Sequence, residues 1–169
     1  MQRLIIIRGN SGSGKSTVAK KLQHKMGYET MLIPQDVVRR EVLRVKDETG
    51  NPSVQLVYDL AMYGSKIGYD VIVEGIFVND RYGEMLYKLI ENFNGQAFVY
   101  YFDIPIETTL KRHATKPNAH EFGEKELRSW WVENDYLGVA NEKGIPAHMK
   151  EDEIVEMFLD DVRRHDMVP

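Results

Sequence analysis

Three residue types in the run Gly9-Asn10-Ser11-Gly12-Ser13-Gly14-Lys15-Ser16 could handle phosphate, each in its own way. The glycines allow positive φ and bring backbone close to a ligand with no Cβ in the way. The amides of such a loop point inward, and the positive end of a following helix faces the same anion. Lys15 is spaced to reach β- and γ-phosphates, and the Ser16 hydroxyl to hold Mg²⁺. The pattern is G-x-x-x-x-G-K-[ST], which has meaning between a buried strand and a helix start. Leu4-Ile5-Ile6-Ile7 before it and Thr17-Val18-Ala19-Lys20-Lys21-Leu22 after it supply both. Gly9, Asn10, Ser11, Gly12, Ser13, Gly14, Lys15, Ser16 and Thr17 therefore read as a nucleotide cradle, with ATP and Mg²⁺ as the expected ligands.

Other chemistry-bearing residues follow apolar runs. Asp36 comes just after Thr30-Met31-Leu32-Ile33 and Pro34. A carboxylate there could orient an alcohol and accept its proton, so Asp36 is the expected general base. Arg39, one helical turn on, is expected to share its face and contact a substrate anion, while Arg40 points elsewhere. Glu74-Gly75 ends Val71-Ile72-Val73. Glu74 could hold Mg²⁺, directly or through water, or bind a substrate hydroxyl, and Gly75 would let backbone approach a ligand. Asp103 has a similar place after Phe102, in ordinary turn chemistry.

Arg112, Lys116 and Arg128 are cations near a polar stretch, Thr115 to Gly123. Arg112 is expected to neutralise charge on a transferring phosphoryl group, with Lys116 and Arg128 on substrate. The span from about 112 to 130 then reads as a helical lid that excludes water. Of Trp130 and Trp131, one is expected in the core and one at a cleft or the surface. The five histidines show no metal-ligand spacing and read as surface or lid residues.

These residues need a scaffold, and the patterning supplies one. Arg3–Arg8, apolar and buried on both faces, a short Thr30–Ile33, Val71–Val73 and Ala97–Phe102 read as strands of a parallel sheet. Helical stripes separate them, from about Gly14 to Met26, Gln35 to about Arg44, Pro52 to around Gly64–Gly68, between Asp80 and Asn94, and Ile106 to about Ala114. Further helices are expected over Glu124–Glu133 and around Ile154, Phe158 and Val162. A very short fifth strand is placed near Gly144-Ile145. Alternating strands and helices imply a three-layer α/β/α fold with a mostly parallel sheet of five strands, the last very short, in a single domain over residues 1–169. Ligands in such folds bind beyond the carboxyl ends of the strands, where Asp36, Glu74 and Asp103 should gather.

The net charge of −4 gives no electrostatic case for a long nucleic-acid track. The lack of cysteine rules out disulfides and thiol nucleophiles and fits a reducing cytoplasm. No apolar run is long enough for a membrane span, and the first residues read as a core strand, not a signal peptide.

The sequence resembles the small P-loop phosphotransferases: gluconate and shikimate kinases, chloramphenicol phosphotransferase, uridine kinase, zeta-toxin kinases and the 5′-hydroxyl polynucleotide kinase domain. Gly9 to Thr17 is the G-x-S-G-S-G-K-S-T form common in this group. Asp36-Val37-Val38-Arg39 resembles the Asp-x-x-Arg of polynucleotide kinases, where the aspartate is the base. Val71 to Gly75 resembles the uridine kinase strand that ends in Glu-Gly, and Leu110 to His113 resembles the group's lid entry. The resemblance implies a P-loop NTPase fold and a kinase moving the ATP γ-phosphoryl group to a hydroxyl of a metabolite, nucleoside or antibiotic. Two alternatives stay open: a polynucleotide 5′-hydroxyl kinase, and a nucleotide-binding regulator without acceptor chemistry.

Overall fold

The computed structural model describes residues 1–115 and 122–168. Lys116, expected at the substrate, lies outside the described residues. Five parallel strands form one sheet in the order β2-β3-β1-β4-β5. They are β1 (Leu4–Gly9), β2 (Thr30–Pro34), β3 (Asp70–Gly75), β4 (Ala97–Asp103) and β5 (Glu142–Pro146). The helices are α1 (Lys15–Met26), a three-residue α2 (Gln35–Val37), α3 (Ser53–Lys66), α4 (Asn79–Asn92), α5 (Ile106–Ala114), α6 (Glu124–Trp130) and α7 (Glu151–Asp166).

Strand alternation assigns the two faces of the sheet. Leu4 and Ile6 of β1, with Val71 and Val73 of β3, pack with Val57 of α3 and Leu86 and Leu89 of α4. Ile5, Ile7 and Ile72 pack instead with Val18 and Leu22 of α1 and Val155 and Phe158 of α7. All of these side chains are buried. Each contributes about 1.5–3 kcal/mol relative to exposure, so the sheet is held as a rigid slab between two helical layers. Its carboxyl-terminal edge carries the site. β1 lies between β3 and β4, with Ile7 opposite Glu74, Arg8 opposite both Gly75 and Tyr101, and Gly9 opposite Phe102.

Three elements differ from the sequence reading. β5 is a full five-residue strand, paired from Val99–Glu142 to Asp103–Pro146. Glu142-Lys143-Gly144-Ile145-Pro146 has little strand propensity, and only Ile145 is buried; an edge strand tolerates both that composition and a terminal proline. The helix expected from Gln35 to Arg44 is α2 followed by a π-helical turn, Val38–Val42, closed by a hydrogen bond from Leu43 N–H to the Val38 carbonyl at 3.0 Å. α6 stops at Trp130, and Trp131 is already extended. No helix among the described residues is long and apolar enough to cross a membrane.

Candidate active site

The phosphate loop starts from a close approach between strands. A Cβ on Gly9 would sit 2.8 Å from the Phe102 carbonyl oxygen, and Gly9 has φ +145°, so no other residue fits without displacing β4. Gly14 ends the loop in the left-handed region, as the residue before α1. Lys15 is only 6% exposed. Its Nζ donates to the Asn10 carbonyl at 2.7 Å and to Ser13 Oγ at 3.1 Å. The loop thus folds around its own lysine.

Beside it, Ser16 Oγ donates to Glu74 Oε1 at 3.3 Å. Glu74 is 5% exposed at the end of β3. Burial pushes its carboxyl above the ordinary range; Lys15 and the Ser16 hydrogen bond oppose that shift, and the negative charge of Asp36 adds to it. A hydroxyl and a carboxylate oxygen side by side are the hard donors that Mg²⁺ prefers when it keeps most of its waters. The pair therefore fits Mg²⁺. The space beside Gly75 is filled by protein: a Cβ there would lie 2.8 Å from Gln35 Cβ and 3.3 Å from Phe77 Cε2. Packing against Gln35 and Phe77 is enough to require glycine at 75.

Pro34 pairs with Glu74 in the sheet, which brings the start of α2 beside the Ser16–Glu74 pair. Asp36, whose side chain is 58% exposed, takes Arg39 at 3.0 Å and Arg40 at 3.4 Å. Arg40 therefore does not point elsewhere, because a residue four places on is as much a helical neighbour as one three places on. Arg39 also donates to the Val45 carbonyl at 3.2 Å. Below Asp36, buried Gln35 donates from Nε2 to the Tyr82 hydroxyl at 2.8 Å, and that hydroxyl donates to Asp47 Oδ1 at 2.8 Å. Asp47 in turn pairs with Arg81 at 2.9 Å. The turn carrying Asp36 is thereby fastened to α4 and to the loop before α3.

Arg112 lies on the other side of the phosphate loop. Gly12, Gly14, Thr17, Arg112, Pro146 and Ala147 line a cavity of about 610 Å³, and Arg112 donates to the Ala147 carbonyl at 3.0 Å. Arg128 is in a surface cluster, 2.9 Å from Glu107 and 2.7 Å from Glu124. That cluster ties α5 to α6. Neither tryptophan is core: Trp130 is exposed and Trp131 half-buried. His113 is buried, against the expectation of a surface or lid residue. Its Nε2 bonds the Phe122 carbonyl at 2.7 Å, and its ring stacks on Phe122. Asp103 accepts from the Tyr136 hydroxyl at 3.0 Å.

Sequence reasoning missed Arg8. It is the penultimate residue of β1, yet it is fully buried beneath the rim. It pairs with Asp135 at 2.9 Å, donates to the Phe77 carbonyl at 2.8 Å and lies over the Tyr101 ring. Burial lowers its affinity for the proton, opposed by Asp135 and Glu142. A charged residue one place before a phosphate loop was the available signal.

A parallel sheet in this order, with a lysine-centred glycine loop between β1 and α1, defines a P-loop nucleotide-binding fold of the three-layer α/β/α kind. The AAA domain family matches residues 4–130, and the chain belongs to that family. No curated protein matches the sequence. Solved structures with similar folds include several named as kinases of small molecules. A gluconokinase from Sinorhizobium meliloti 1021 is 20% identical, with 96% of this chain and 92% of that one covered and a TM-score of 0.71. The Mycobacterium tuberculosis APS kinase, in complex with AMPPNP and APS, is 18% identical over 94% and 96%, with a TM-score of 0.74. A shikimate kinase from Aquifex aeolicus vf5 is 17% identical over 98% and 99%, with a TM-score of 0.56.

Proposed function

We propose that this protein is an ATP-dependent kinase that transfers the γ-phosphoryl group to a hydroxyl of a small molecule. The observation that carries the reading is the placement of Asp36 beside the Lys15–Ser16–Glu74 cluster, through the Pro34–Glu74 pairing. A base beside a phosphate cradle is the arrangement that transfer to an alcohol needs. The kinases with similar folds support the class and leave the acceptor open.

In this reading residues 9–17 wrap the triphosphate and Lys15 meets its β- and γ-oxygens. Ser16, with Glu74 directly or through water, would hold Mg²⁺, which would supply charge neutralisation to the phosphates when bound. The acceptor oxygen attacks the γ-phosphorus, the bond to the β–γ bridging oxygen breaks, and ADP leaves. Asp36 takes the acceptor proton, releasing Arg39 or Arg40 from its oxygens to do so. Those arginines are then placed for a substrate anion. The cavity beside Arg112 is large enough for the base and ribose, so Arg112 flanks the nucleotide when it holds the Ala147 carbonyl. Its service at the phosphoryl group requires it to leave that carbonyl.

The test is a screen of hydroxyl compounds, with a short 5′-hydroxyl oligonucleotide as one arm, for ADP release above the background hydrolysis rate. A small alcohol that stimulates release supports the proposal. Stimulation by the oligonucleotide alone makes the protein a polynucleotide kinase, and no stimulation by any acceptor removes the transfer chemistry.

A further inference from the structure

Asn10 sits in the phosphate loop, but its side chain is engaged with distant backbone. Nδ2 donates to the Val132 carbonyl at 2.7 Å, and Oδ1 accepts from Val132 N–H at 3.0 Å. The carboxamide thus reads residue 132 as a neighbouring strand would. Asn10 is 7% exposed, so neither bond has ready competition from water. The carbonyl of the same residue accepts the Lys15 ammonium at 2.7 Å.

Three residues further on, Asp135 is held from the other side of Gly9. The Arg8 guanidinium donates to both the carbonyl and the carboxylate of Asp135. That carboxylate also accepts the Asn79 N–H, at 2.9 Å, where α4 begins. The chain leaving α6 is therefore bolted across the strand end that launches the phosphate loop, at Asn10 and at Arg8. A bolt of this kind fixes the direction of the peptide at Asn10, and with it the point from which Lys15 meets a ligand.

We infer that Asn10 is a positioning residue for Lys15, and that Val132, through both its backbone polar groups, is the other half of the device. The inference rests on the nucleotide site proposed above and does not depend on the acceptor. It assigns the side chain of Asn10 to aligning the lysine, not to touching phosphate.

The test compares binding of Mg·ATP and of AMP to the parent protein, Asn10→Ala, Val132→Pro and the double variant, with Tm recorded for each. Lys15 serves phosphates that AMP lacks, so misalignment should weaken ATP selectively. Asn10→Ala is expected to lose roughly tenfold in ATP affinity, the size of one charge-assisted hydrogen bond, and less than about threefold in AMP affinity. Val132→Pro deletes one N–H and leaves every loop side chain in place. It should act in the same direction, and the double variant should lose little more than Asn10→Ala alone. Equal losses for ATP and AMP, or additive losses in the double variant, would mean a merely structural contact and overturn the inference. A parent protein that binds ATP no better than AMP would instead overturn the nucleotide site itself.

Discussion

The two sides of the cleft, a donor side and an acceptor side in the proposal above, are built by opposite means. On the donor side Lys15 and Glu74 are almost wholly buried, Gly9 is wedged against Phe102, and each polar group is held by another part of the loop or strand. On the acceptor side Asp36 and Arg40 face solvent, and their ion pairs are the exposed kind that is worth little. Their rigidity comes from beneath, through Gln35, Tyr82 and Asp47. A triphosphate presents the same atoms whatever the acceptor, so a preformed cradle suits it. Exposed side chains over a fixed floor can be changed without touching the core.

If that contrast holds, substitutions should separate cleanly by side. Lys15→Ala should cost the most, about 10³-fold in turnover with ATP binding weakened as well, because it removes charge from the phosphoryl group in flight; steady-state kinetics and nucleotide titration read both. Asp36→Asn should lower transfer by roughly 10²-fold while ATP affinity stays within a few-fold. An unchanged rate would take Asp36 out of the mechanism and leave only the nucleotide pocket.

Glu74→Gln sharpens the comparison through pH. Burial favours the neutral form of Glu74 in the fold, so its contribution to stability is full below the usual carboxylate range and is lost as pH rises through the raised value. Glutamine stays neutral. The ligand-free variant should therefore gain in Tm over the parent as pH rises from about 5 to about 8, while losing Mg²⁺-dependent turnover. A constant Tm difference across that range would show that Glu74 does not carry the burial cost. Arg128→Ala should have the smallest effect, since Glu107 and Glu124 occupy its guanidinium on an exposed surface; a large rise in acceptor KM would return it to the substrate.

Much of the donor side was legible because its chemistry is local. Gly9 to Ser16 is contiguous, and the apolar runs around it fixed four strands by pattern alone. Glu74 could be placed from Val71-Ile72-Val73 because strand ends meet at one rim. The rest depends on contacts far apart in sequence. Nothing near Arg8 signals Asp135, and nothing near Asn10 signals Val132, since each pairing spans more than 120 residues. β5 was nearly invisible because an edge strand needs one partner and little apolar surface. Arg39 and Arg40 both reach Asp36, because positions three and four along a helix both neighbour it.

The π-helical turn at Val38–Val42 has a consequence for how the acceptor wall can be altered. Each residue in a regular helix advances the winding by roughly 100°. A turn closed five residues apart therefore holds an extra step of phase, spent before Leu43, which packs against the core. Deleting Glu41 there would leave Asp36 and Arg39 in the chain and turn Leu43 away from the core. Hydrogen exchange across residues 43–52 would then register the slip, as a change of phase and not of composition.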